Sequence, residues 1–170
     1  MSDPADLPCL SLHAPWLWAI MHAGKDIENR GPTFPRRFRG QPVVGDVWLH
    51  ASKWPGAFDP LRPLRGAAAI EWANEFSAVE DVLRVNKRLL GSGEMAEAWS
   101  MRGHIVGRVE VVRFVGPEED VHSPWRQPGS TAIEIRNPRL LTRPVPASGS
   151  LGWWRPSEGT RAALRALGAN

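Results

Sequence analysis

The chain has 170 residues, 21 Lys+Arg against 18 Asp+Glu for a net charge of +3, and 42% hydrophobic residues, which fits one soluble domain, 1–170, and not two. No run approaches the roughly 18 to 20 apolar residues of a membrane span, and the first nine residues lack the basic start and apolar stretch of a secretory signal, so a cytoplasmic, membrane-free protein is expected. A single cysteine, Cys9, excludes a disulfide scaffold and a cysteine-built zinc centre, while 16 Gly and 16 Pro predict turns and strands over long helices.

In chain order, Cys9-Leu-Ser-Leu-His13 alternates apolar and polar and predicts a short strand. Pro15 suits the first turn of a following helix whose Trp16, Ile20 and Ala23 share a face, and Gly24 ends it. Residues 25–30 read as polar and extended, stopped by Gly31-Pro32, and a loop rich in Arg and Pro follows. Residues 47–53 alternate as a strand, with Val47, Leu49 and Ala51 toward a core and Trp48, His50 and Ser52 on a polar face.

Residues 66–99 carry helical periodicity through Ala69, Trp72, Ala73 and Phe76, then Val79, Val82 and Leu83. His104–Val115 is dense in β-branched residues and predicts a central strand, with Gly107 marking a bulge or a close approach. Thr131–Ile135 predicts a further strand closed by Asn137-Pro138, and Ser157 caps a last helix whose Leu164 and Leu167 dock on the core. These elements predict an α+β fold: a small, mostly antiparallel β-barrel with rim helices and a helical insert at about 57–100.

Charge is distributed by segment. Residues 25–65 carry eight Lys/Arg against four acids, 71–120 six against ten, and 121–170 seven against two. A basic face opposite an acidic middle is the footprint of a polyanion binder, although 18 of the 21 basic residues are Arg, a bias that coding composition also produces. Arg36, Arg37 and Arg39, like Arg136, Arg139 and Arg143, suit phosphate contacts better than base reading, and solvated loop arginines are the alternative.

Nine Trp without a Tyr direct attention to stacking. Trp16, Trp54 and Trp125 each adjoin a proline near an element end and are the candidates for a base platform, whereas Trp72, Trp99, Trp153 and Trp154 read as core. Lys25 suits either phosphate neutralisation or, if desolvated, a base or nucleophile. On a regular strand Glu28 and Arg30 share a face, with Lys25 on the other, so Glu28 and Arg30 are placed to pair. His50, beside Ser52 and Lys53, is either an acid/base or a structural histidine. The five histidines have no zinc-like spacing, and there is no Walker loop or G-x-S-x-G, so no metal or cofactor is expected.

Taken in order, Leu10-Ser-Leu-His-Ala-Pro-Trp16, Lys25-Asp-Ile-Glu-Asn-Arg30, the Gly45–Lys53 strand, His104–Glu110, Ser123-Pro-Trp125, Asn137-Pro-Arg139 and Gly149–Trp154 carry a resemblance that spans nearly the whole chain. The set resembles the ASCH (activating signal cointegrator-1 homology) group of PUA-like barrels, with Lys25, Glu28 and Arg30 on its K-x-x-E-x-R signature. Three features depart from the pattern: Gly24 is displaced by one from the family glycine, Ser130-Thr-Ala-Ile133 replaces the aromatic positions common before the Asn-Pro element, and Glu28 stands where relatives with N4-acetylcytidine amidohydrolase activity carry Thr.

The resemblance implies a nucleic-acid-binding protein whose basic cleft takes RNA or another single strand, one modified nucleoside included. Its contacts are expected from Lys25, Arg30, Arg36, Arg37, Arg39, His50, Ser52, Lys53, Trp16, Trp54, Ser123 and Trp125. The alternative is a small hydrolase of the same fold, an N4-acylcytidine amidohydrolase or weak ribonuclease, with Lys25 and Glu28 as working groups. A third reading is a protein partner bound through the acidic helical insert.

Overall fold

The chain contributes three strands to its large sheet before the longest helix among the described residues forms. The structure, a computed structural model, describes residues 3–54, 66–85 and 90–168; positions 57–65 and 86–89 of the expected insert lie outside the described residues. A 3-10 turn at Pro4–Asp6 leads into β1 (Cys9–Leu12), α1 (Ala14–His22), β2 (Ile27–Arg30), the two-residue strands β3 (Arg37–Phe38) and β4 (Gln41–Pro42), and β5 (Gly45–Ala51). Then come α2 (Ala67–Val85), α3 (Ser92–Ser100), β6 (His104–Val115), β7 (Thr131–Pro146), β8 (Trp153–Trp154) and α4 (Glu158–Ala166). The periodic stretch expected as one helical region is thus two helices, and its buried stripe is Trp72, Phe76, Val79 and Leu83, with Ala73 exposed.

Six strands form one curled, half-barrel sheet in the order β2-β7-β6-β5-β1-β8, while β3 and β4 make a separate small hairpin. Every pairing in the large sheet is antiparallel except β1 with β5, which α1 and the following segment connect as a crossover. Helices α1, α2 and α3 cover one face through Leu17, Trp18, Ile20, Trp72, Phe76 and Ala98. A second apolar cluster lies on the other side: Cys9, Trp48, Ile105, Val145, Trp154 and Leu164 of α4.

That second cluster corrects the reading of β5 as a strand with one polar face. Trp48 and His50 are both 1% exposed, because chain from a hundred residues downstream closes over them. β7 is corrected too. It runs through Asn137-Pro138 to Pro146, since Asn137 takes a left-handed φ of +54° and bulges the strand instead of ending it. Gly107 behaves as expected: both ladders shift register beside it, and a Cβ there would stand 2.4 Å from the Arg139 carbonyl oxygen.

Gly24, at φ +70°, ends α1 and turns the chain so that the Lys25 amide bonds to the Ala19 carbonyl at 3.1 Å. This turn delivers residues 25–30 to the sheet edge beside β7. No helix among the described residues is long and apolar enough to cross a membrane.

Candidate nucleic-acid interface

The segment 25–30 is built from the inside out. Lys25 is buried; its Nζ lies 2.9 Å from Glu28 Oε2 and also donates to the Ile27 carbonyl. Strand alternation had put Lys25 on the face opposite Glu28. Lys25 precedes β2, however, so its stem is free to come round to the carboxylate. The other Glu28 oxygen lies 3.3 Å from Arg30 Nε, which fits the expected pairing of those two residues. Arg30 Nη2 donates to the Ser11 carbonyl at 3.1 Å, and the guanidinium lies over the Phe34 ring at 5.0 Å. One carboxylate therefore sits between two cations, with Trp16 alongside at 5.8 Å from Lys25 Nζ.

Residues 123–130 are tied to the same edge. Ser123 Oγ donates to Asp26 Oδ1 at 2.6 Å, and Asn29 Nδ2 donates to the Trp125 carbonyl at 2.7 Å. Asn29 Oδ1 accepts from the Gln127 amide at 2.9 Å and from Ser130 Oγ at 3.1 Å. Asn29 organises this loop, a role missed from sequence because its partners are about a hundred residues away.

Ser11 links the segment to a cavity of about 350 Å³, lined by Ser11, His50, Ser52, Lys53 and residues 148–151. That volume is at the lower end of the range for small-molecule sites. Three groups meet at its floor. Trp154 Nε1 donates to Ser11 Oγ at 3.0 Å, and Ser11 Oγ lies 3.0 Å from His50 Nδ1. His50 Nε2 faces the Ala147 carbonyl at 3.2 Å and so carries the proton, which makes Nδ1 the acceptor from Ser11. Burial is the main cause that lowers the His50 pKa to about 4; the Ala147 carbonyl opposes it, and His104 and Lys53 add to it. His50 is neutral at pH 7 and holds the floor rigid. Ser11 reads in the sequence only as a polar position of β1, because its partners come from distant segments.

Lys53 is exposed at the rim, and a buried group fixes the backbone beneath it. Arg102, fully buried, donates to the Lys53 carbonyl at 2.6 Å and to the Trp54 carbonyl at 3.1 Å, and lies 3.7 Å from the Trp99 ring centre. The Trp54 ring stacks on His13 at 4.0 Å, and His13 Nδ1 lies 2.8 Å from Glu75 Oε1 of α2. Trp16 and Trp54 are half-buried at this edge. The Trp125 ring is packed into the core at 6% exposure, as are Trp72, Trp153 and Trp154, while Trp99 is half-buried.

Arg36, Arg37 and Arg39 are exposed on the β3–β4 hairpin, which Trp153 Nε1 anchors through the Pro35 carbonyl at 2.7 Å. The hairpin thereby adjoins the end of the 148–151 loop. On the opposite stretch, Arg136 pairs with Glu110 at 2.5 Å, and Arg139 lies 3.8 Å from Asp46. Among the described residues no group of three or more His, Cys, Asp or Glu is placed to hold a metal ion.

Comparison with known proteins gives no match to a family model and none among curated proteins.

Proposed function

We propose that this chain is an ASCH-type, PUA-like module that binds RNA or another single-stranded nucleic acid across the edge formed by residues 25–30, the 350 Å³ cavity and the β3–β4 hairpin. One observation carries the reading: no Asp or Glu lines the cavity, Lys53 stands at its rim, and Arg36, Arg37 and Arg39 are exposed on the hairpin that Trp153 anchors nearby. Acid-free, cation-rimmed concavities attract phosphate, and half-buried aromatics beside them offer ring surface to bases. In this reading Lys25 supports the site from within, because its cation faces Glu28, and the contacts to phosphate fall to Lys53 and the hairpin arginines. Fluorescence anisotropy with labelled single-stranded RNA, single-stranded DNA and duplex DNA tests it. Preference for a single strand supports the reading, and absence of binding to all three at low salt removes it.

A second reading draws on the buried Lys25–Glu28 contact: hydrolysis of an acylated nucleoside, or weak RNA cleavage, with that pair as working groups. Release of acid from N4-acetylcytidine that stops in a folded Lys25→Met variant would support it.

A further inference from the structure

The cavity beside Ser11 holds donors that the protein leaves unused. Ser52 Oγ is buried and has no hydrogen-bond partner among the described residues. Across from it, neither the hydroxyls of Ser148 and Ser150 nor the amides of residues 148–150 donate to a described residue, in contrast to Ala147, whose amide bonds to the Gly103 carbonyl at 2.9 Å. Lys53 has no ion-pair partner among the described residues; its stem lies along Gly103, where a Cβ would stand 3.0 Å from Lys53 Cε. A buried polar group without a partner costs free energy, and the Ser52 hydroxyl carries that cost in the wall of the cavity.

The shape of the loop follows from contact. Gly149 lies so close over the floor that a Cβ there would meet His50 Cε1 at 2.4 Å and Ser11 Oγ at 2.7 Å. Only a residue without a side chain lets the 148–150 backbone approach the His50–Ser11 pair. The lining contributes one cation, three hydroxyls with spare capacity and three spare amides, against no carboxylate. This is the donor chemistry of a phosphate pocket. A phosphomonoester offers three acceptor oxygens and nearly two negative charges at pH 7, whereas an internal phosphodiester offers two free oxygens and a single charge. The number of donors fits the monoester better.

We propose that the cavity of Ser52, Lys53 and Ser148–Ser150 binds a phosphomonoester: the terminal phosphate of a nucleic-acid strand whose remainder lies along the basic edge. This deepens the nucleic-acid reading and rests on it. Residues 25–30 would then flank the strand, and the cavity would select its end.

The test uses the full chain and one short single-stranded RNA prepared with a 5′-phosphate, a 3′-phosphate or hydroxyls at both ends, titrated with and without inorganic phosphate as competitor. A nucleoside monophosphate is titrated as a further arm. One phosphorylated end should bind roughly tenfold tighter than the hydroxyl-ended strand. Inorganic phosphate should erase that gain, and the double variant Ser52→Ala with Lys53→Ala, its fold checked by circular dichroism, should erase it as well. Equal affinity for all three strands, unmoved by phosphate, would overturn the pocket and leave the nucleic-acid reading standing. Binding of the nucleoside monophosphate and inorganic phosphate with no binding of any strand would uphold the phosphomonoester site and overturn the strand. Failure of all probes to bind would overturn both.

Discussion

Lys25 Nζ and Glu28 Oε2 are 2.9 Å apart with their side chains 2% and 10% exposed, so the first charges of the K-x-x-E-x-R segment face each other and not solvent. Removing Lys25 leaves the buried Glu28 carboxylate with Arg30, whose Nε lies 3.3 Å away, as its remaining cation. Because Arg30 still faces that carboxylate, Lys25→Ala is expected to lower unfolding free energy by about 1 to 3 kcal/mol. Replacing both, Lys25→Met with Glu28→Gln, should recover a good part of that loss. Urea denaturation of the two variants checks it; a Lys25→Ala protein as stable as the parent would show that the pair is not buried in solution.

His50 gives the fold a pH dependence of definite sign. Its folded pKa, about 4, lies below the ordinary value of 6.5, so the unfolded chain binds the proton more readily. The contribution of neutral His50 is fully present above pH 6.5 and is lost as pH falls toward 4, by about 3 kcal/mol in all. Thermal melts across this window should show stability rising with pH, and His50→Gln should flatten the rise. Asp6 acts in a lower window: Arg155 and Arg161 hold its carboxyl at about 2, so its contribution is lost only as pH falls from 3.8 toward that value.

Asn29 bonds at both ends of its amide to the 123–130 loop. Asn29→Ala leaves the Trp125 carbonyl and the Gln127 amide without their partner and is expected to cost about 2 kcal/mol. Hydrogen exchange should quicken at Gln127 and its neighbours while β6 stays protected. Unchanged exchange in the loop would contradict its anchoring by Asn29.

The central strand was legible because its signal is local. The run HIVGRVEVVRFV is dense in β-branched residues, and the structure makes all of it β6. Ser157 as a cap and Leu164 as a docking residue are local signals of the same kind, and both hold. β7 was truncated because Asn-Pro is a common stop, and only its pairing with β6 shows that Asn137 is a bulge. The buried second face of β5 and the Ser11–His50–Trp154 chain were not legible for a physical reason. The partners of Ser11 lie 39 and 143 residues away, and no periodicity reports a contact of that range. Lys25 was misplaced because strand alternation was extended to a residue that precedes the strand.

Gly149 is the position where the cavity is most sensitive to a single atom. Gly149→Ala places a methyl carbon 2.4 Å from His50 Cε1, so the loop must lift or the imidazole must move. A destabilisation of about 1 to 3 kcal/mol is expected, with the His50 ring protons shifted in NMR spectra. An unshifted His50 signal would mean that the 148–150 backbone does not lie over it.

The nucleic-acid reading stands or falls most directly on the salt dependence of binding to single-stranded RNA. Log affinity should fall linearly with log salt concentration between about 50 mM and about 200 mM, each lost phosphate contact lowering the slope by about 0.7. Lys53→Ala should reduce the slope by about one such step, and Arg36→Ala with Arg37→Ala by about two. Affinity that does not change with salt, or no binding at the lowest salt, would contradict the account.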